Sequence, residues 1–400
     1  MNRILRISQI HLNPPQNPLA YTADFRLSNF LLSEALDISS QIGPITWISI
    51  DSTNSLLLIS SSNGSIAYYN LQNTFSTSEP ASLKPVYKIK SAHGGFISGV
   101  EWYPIDSGMF TTCSHDNSIK VWDTQTAENV FDFDMGFRVS SHSMASNGSH
   151  NLIAAVGFGD QVRICDLQSG INVQSITDND TMGISVKWSN KYEYILATGG
   201  LNGSVKIYDI RKLNTFLFKL VEDINSTNNT ENAHNGLITS LYFSESDNKI
   251  ITSGSDKKLK AWDSITGEIF SVKDMNMNQT VKNSEIKMSP YATRISGSIM
   301  EKDYKINSQL LFVPIYKSNK LFITDFDPVH GFKKTDEILQ HGQIGVLTGA
   351  AYRPGHFELY TSGTDHNILL YKPKSEERVT EAQKKVWQDS WSENSENENI

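Results

Sequence analysis

Residues 93 to 123, HGGFISGVEWYPIDSGMFTTCSHDNSIKVWD, bring a histidine, hydroxyls, a carboxylate and an indole into one short span. His93, Thr112, Asp116 and Trp122 are residue types that can act as a general base, ligate a metal or link into a hydrogen-bonded chain. The same types recur as His234, Thr252, Asp256 and Trp262, and as His341, Thr361 and Asp365 with Tyr371 in the indole position. Other routes to chemistry close quickly. Gly157-Phe-Gly159 lacks the third glycine and the following helix of a dinucleotide loop. No Gly-x-Ser-x-Gly elbow falls in a strand-to-helix context. The ten histidines are scattered, and most carboxylates mark turns. His115 and His366 sit beside Asp116 and Asp365 in turns, where solvation is expected. The expectation is a non-catalytic protein without a cofactor or metal, whose recurring histidines hold structure.

The elements around these residues read as strands. Phe96, Ser98 and Val100 alternate, as do Ile119 and Val121 about Lys120, and Asp116-Asn117 is a turn signal between strands. A histidine near the start and Trp-Asp at the end, about 30 residues apart, resembles a WD40 propeller blade. In such blades the histidine, a strand hydroxyl, the turn aspartate and the indole N–H link in a buried chain that satisfies every member. One blade cannot bury both faces and demands neighbours.

Seven units follow from Ile45. They end at Tyr69-Asn70, Trp122-Asp123, Cys165-Asp166, Tyr208-Asp209, Trp262-Asp263, Thr324-Asp325 and Tyr371. The third lacks a clear histidine, and the sixth, QLLFVPI and KLFITD, is irregular. Residues 213–232 and 271–290 read as loop insertions and candidate contact sites, the first ending in a polar tract. The expected architecture is all-β, one seven-bladed WD40 β-propeller over 39–373. A strand from near residues 28 to 38 should close the last blade.

Residues 1–38 precede the blades. Ile4, Leu5, Ile7 and Ile10 share helical spacing, Asn13-Pro14-Pro15 breaks the helix, and a second stretch carries Leu19 and Phe25. This predicts a helix-loop-helix arm followed by an extended FLLSEALDI. The arm either caps the propeller or binds a partner. Residues 374–400 form an acidic tail with Trp387 and Trp391 four apart, expected to be partly disordered.

Whole-chain numbers set limits. With 35 basic against 43 acidic residues, direct nucleic-acid binding is not expected. Two cysteines in 400 residues fit a reduced compartment rather than a disulfide framework. No apolar run is long enough to span a membrane, and the apolar stretch among the first residues is too short for a signal peptide.

The stretch EWYPIDSGMFTTCSHDNSIKVWDT at 101–124 resembles the second blade of the Cockayne syndrome A family, with its Trp-Tyr-Pro, Asp-x-Gly-Met-Phe and Lys-Val-Trp-Asp-Thr in order. SNKYEYILATGGLNGSVKIYDIRK, ENAHNGLITSLYF, FELYTSGTDHNILLYKP and WQDSWS are similar to that family's fourth, fifth and seventh blades and its tail. The resemblance implies a substrate receptor of a cullin four RING ubiquitin ligase, acting in transcription-coupled nucleotide excision repair in the nucleus. Its implied partners are the adaptor, damaged-DNA-binding protein one, and clients at stalled RNA polymerase II, including the Cockayne syndrome B-type ATPase. The adaptor surface it implies is the arm (Ile4, Leu5, Ile7, Leu19, Phe25, Arg26) and a Trp-Asp-x-Arg blade end, here Tyr208, Asp209, Ile210 and Arg211. Tyr208 departs from the Trp of that motif, and Asn202 stands where a tetrad aspartate would be. The alternative is a WD40 scaffold of a nuclear complex with no ubiquitin role.

Overall fold

The computed structural model describes residues 30–36, 42–71, 84–145, 150–177, 181–212, 215–222, 232–244, 248–275, 296–299, 309–315, 318–340, 346–353, 356 and 358–373. These are organised as seven four-stranded antiparallel sheets. The predicted arm, with Ile4, Leu5, Ile7, Leu19, Phe25 and Arg26, lies outside the described residues, as does the tail.

β1 (Phe30–Leu36) belongs to the last sheet and is described there. Blade one is β2 (Ile45–Ile50), β3 (Leu56–Ser61), β4 (Ile66–Asn70) and β5 (Pro85–Ile89). Blade two is β6 (Ile97–Trp102), β7 (Met109–Ser114), β8 (Ser118–Asp123) and β9 (Asn129–Asp134). Blade three is β10 (Val139–Met144), β11 (Leu152–Gly157), β12 (Val162–Asp166) and β13 (Ile171–Ile176). Blade four is β14 (Gly183–Trp188), β15 (Ile195–Gly200), β16 (Val205–Asp209) and β17 (Phe218–Leu220). Blade five is β18 (Ile238–Phe243), β19 (Lys249–Gly254), β20 (Lys258–Asp263) and β21 (Ile269–Asp274). Blade six is β22 (Ser296–Ile299), β23 (Gln309–Pro314), β24 (Lys320–Asp327) and β25 (Gly331–Gln340). Blade seven joins β26 (Leu347–Arg353), β27 (Glu358–Gly363) and β28 (Ile368–Pro373) to β1, in the order β1-β28-β27-β26. The edge strand from residues 28–38 is therefore present.

Residues Glu34–Leu370 form one compact unit. Within that unit the ring closes between the last blade and the first. Ile45, Ile48, Leu57 and Tyr69 share a buried cluster with Tyr360, Ile368 and Leu370. Arg353 Nε donates to Asn54 O at 2.7 Å across the same boundary. Each sheet buries both faces against neighbours, so its inner strands are buried almost continuously. In β8, Ile119, Val121 and Trp122 are buried while Lys120 is half exposed.

Two sequence expectations need correction. Phe218–Leu220 lies within, and Ile269–Asp274 runs into, the stretches read as insertions, yet they are the fourth strands of blades four and five. Their signal is weak because a fourth strand has one exposed edge and tolerates polar residues. Leu220 is nonetheless fully buried opposite Val205. The polar tract after residue 222 lies outside the described residues.

The antiparallel meander fixes which loops share an end of the blades. Turns joining second to third strands lie with the blade-to-blade connections. Those joining third to fourth strands lie at the opposite end.

Candidate functional site

The histidine sets sort by geometry. In blade two, His93 Nε2 lies 2.7 Å from Thr112 Oγ1, and His93 Nδ1 lies 2.9 Å from Asp116 Oδ2. Trp122 Nε1–H donates to Thr112 Oγ1 at 2.9 Å. A carboxylate can only accept, so Nδ1 carries the proton toward Asp116 and Nε2 accepts the Thr112 hydroxyl. Blade five repeats the arrangement. His234 Nε2 is 2.7 Å from Thr252 Oγ1, Trp262 Nε1–H donates to Thr252 at 2.9 Å, and His234 Nδ1 is 3.0 Å from Asp256. Burial opposes charge on Asp116, but hydrogen bonds from His93, Ser118 and the Gly94 N–H outweigh it. The Asp116 carboxyl is thereby held well below the usual carboxylate range. Asp256 is shifted the same way, burial again being outweighed by His234. With their hydrogen bonds spent inside blades, these groups brace the fold. In blade seven Thr361 and Tyr371 are buried and Asp365 is half buried, while His341 lies outside the described residues.

Blade four substitutes a different scheme. Asn202 takes the turn position, its side-chain oxygen accepting the Ser204 N–H at 3.0 Å. Tyr208 fills the indole position and is fully buried. Gly203 follows at φ +84°, and a Cβ there would come within 2.1 Å of His234 O, so only glycine fits.

At the other end of that blade stands the predicted Asp209/Arg211 pair. β16 ends at Asp209, and the Lys212 N–H bonds back to Asp209 O at 2.9 Å, so the chain turns rather than continuing extended. The Arg211 guanidinium closes on Asp209 through Nε to Oδ1 at 2.9 Å and Nη2 to Oδ2 at 2.7 Å. Its carbon lies 4.5 Å from the Tyr194 ring centroid. Alternation along a strand predicts an arginine free to leave the rim. Instead, Arg211 is clamped by its own blade, with the Asp209 carboxyl lowered first by that hydrogen bond. The side chain is still 63% exposed, so its outer edge faces solvent in a fixed orientation.

Three features escaped the sequence reading. His142 in β10 is fully buried, with Nε2 2.8 Å from Thr111 Oγ1 of the neighbouring blade. Lys187 Nζ reaches 3.0 Å to Glu101 Oε1, joining the inner strands of blades four and two. His115 is half exposed and packs between rings, 5.0 Å from Phe96 and 5.3 Å from Phe158. The first two depend on contacts between blades that no local spacing signals. Among the described residues no group of three or more His, Cys, Asp or Glu could hold a metal.

The WD domain, G-beta repeat model (WD40) matches residues 83–123, 171–209 and 226–263. With the seven sheets, these matches define the fold as a seven-bladed β-propeller carrying WD40 repeats. Among curated relatives, the chain is similar to WD repeat-containing protein ATCSA-1 of Arabidopsis thaliana. It is 25% identical over 92% of this chain and 94% of that one. It is also similar to Radiation-sensitive protein 28 of Saccharomyces cerevisiae, 25% identical over 52% of this chain and 46% of that one. Histone acetyltransferase type B subunit 2 of Debaryomyces hansenii is 26% identical over 51% of this chain and 52% of its own.

Proposed function

We propose that the chain is the substrate-recognition subunit of a cullin four RING ubiquitin ligase, a Cockayne syndrome A-type receptor acting in transcription-coupled nucleotide excision repair in the nucleus. The observation that carries the reading is the end-to-end similarity to ATCSA-1, over 92% of one chain and 94% of the other. The radiation sensitivity in the name of the yeast relative supports a role in DNA repair. The receptor binds damaged-DNA-binding protein one through the N-terminal arm and the blade-four rim. Arg211 suits that task because Asp209 and Tyr194 fix its guanidinium before a partner arrives, so little side-chain entropy is lost on docking. Clients, including the Cockayne syndrome B-type ATPase of the stalled polymerase II complex, bind elsewhere on the propeller.

The test is a titration of wild-type chain, Arg211→Ala and Arg211→Glu with purified damaged-DNA-binding protein one at fixed salt. About a thirtyfold loss is expected for Ala and more for Glu. Equal affinities would leave Arg211 a surface residue. The second reading, a nuclear scaffold without a ligase role, is favoured by the half-length match to the histone acetyltransferase subunit. It predicts no complex with the adaptor at all.

A further inference from the structure

Several cations among the described residues are matched. Lys187, Lys249, Lys260, Arg211 and Arg353 each place a nitrogen within 3.0 Å of a carboxylate oxygen. Two arginines at the end of the blades opposite Arg211 are not. Arg138, exposed in the connection from β9 to β10, has no carboxylate partner among the described residues. Neither has Arg163 in β12, which is only half exposed. Its Nε is buried without a hydrogen-bond acceptor, and its guanidinium carbon lies 5.7 Å from the Phe137 ring centroid. Acids are not scarce, since the chain carries a net charge of −8.

Half-exposed rings flank these cations. His115 sits between Phe96 and Phe158, and the Phe158 N–H donates to Arg138 O at 2.9 Å, tying the ring cluster to the arginine loop. Burial, then the charge of Arg138, lowers the His115 pKa, so the imidazole presents a neutral, largely apolar surface at neutral pH. Unpaired guanidinium beside half-buried aromatic rings is the composition of an anchor site for a protein ligand. A carboxylate would accept from the two Nη groups of Arg163 in a parallel pair, and an apolar side chain would cover the rings. A polyanion is disfavoured, because the net negative charge of the molecule repels a long phosphate backbone.

We propose that this face of blades two and three docks an acidic segment of a partner protein, with a carboxylate closing on Arg163 beside Arg138 and an apolar side chain against Phe96, His115 and Phe158. The site stands on its own side chains and does not depend on the adaptor reading, whose blade residues Asp209 and Arg211 lie at the other end.

The experiment pans a displayed library of random short peptides against the full chain, then titrates the recovered peptides by fluorescence anisotropy. Recovered peptides should combine Asp or Glu with an aromatic or leucine residue. Arg163→Ala should weaken them at least about tenfold, with Arg163→Lys intermediate because it keeps charge but loses the fork. Arg138→Glu should weaken them and flatten their salt dependence, while Lys320→Glu on blade six leaves affinity unchanged. Should Arg163→Ala fail to fold in a thermal melt, Arg138→Glu and Phe158→Ala carry the same test. The proposal falls if no acid-bearing peptide is recovered, or if affinity ignores the arginine variants. It also falls if a single-stranded oligonucleotide binds more tightly than any peptide with the same dependence on Arg163. Loss of peptide binding with adaptor affinity intact separates this site from the blade-four rim.

Discussion

Thr112 is the smallest unit on which blade two depends. Its hydroxyl donates to His93 Nε2 and accepts from the Trp122 indole, so one oxygen satisfies two buried neighbours. Thr112→Val keeps the shape and strands both, and should destabilise the fold by about 1–3 kcal/mol for each group left unsatisfied, read by urea unfolding. Asp116→Ala should cost a similar amount, about 1–3 kcal/mol, by leaving the His93 N–H unpaired. A variant melting like wild type would break the assignment. The pH dependence has a definite sign. The folded Asp116 carboxyl is lowered from the ordinary value of 3.8, so its contribution is complete above that value and lost as pH falls below it. The stability gap between wild type and Asp116→Asn should therefore be constant near neutral pH and shrink below about pH 4. A gap that grew on acidification would refute the lowered carboxyl.

At the scale of elements, β26 and β27 carry a buried ion pair at the ring's seam. Arg353 Nη1 lies 3.0 Å from Glu358 Oε2, both side chains at most 5% exposed. The Tyr360 hydroxyl donates to the same carboxylate at 2.8 Å. Burial first, then the Glu358 charge, holds the Tyr360 phenol well above its usual range, which keeps it a donor. Arg353 also reaches Asn54 O of blade one, so the pair links the last blade to the first. Glu358→Ala leaves a buried guanidinium without its counter-charge and should cost about 3–5 kcal/mol. Replacing both partners, Arg353→Met with Glu358→Leu, should recover most of that loss in the same denaturation measurement. A double variant as unstable as the single one would place the cost in the Arg353–Asn54 bond instead.

At the scale of the molecule, β1 completes the seventh sheet, so the strand nearest the start of the chain pairs in the blade nearest its end. Closure of this kind covers the edge of β28, which would otherwise be open to template association. Deleting residues 1–25 spares β1 and should leave a cooperative melt while abolishing adaptor recovery in a pull-down. Deleting residues 1–36 removes the strand and should lower the melting temperature or cause aggregation. If both deletions melted alike, closure by β1 would contribute nothing to stability.

The repeating architecture is legible in the sequence because each blade needs local features that recur: strand alternation, an Asp-Asn or Asn-Gly turn, a closing Trp-Asp. His93, Thr112, Asp116 and Trp122 lie within 30 residues of one another, and their bonds form inside one blade. Their chemistry could therefore be read from spacing alone. The outer strands β17 and β21 could not, because an edge strand carries little apolar pattern. Arg211 was legible as a candidate but not in its state: the turn after Asp209 and the ring of Tyr194 hold it, and Tyr194 sits on a different strand connection. Glu101 with Lys187 and the cluster of Arg138, Arg163 and His115 belong wholly to the tertiary structure. These residues come from different blades or the connection between them, and only the packing of blade against blade brings them together. Sequence patterns set which residues share a strand and a turn; the packing of blade against blade decides which charges are paired and which face outward for a partner.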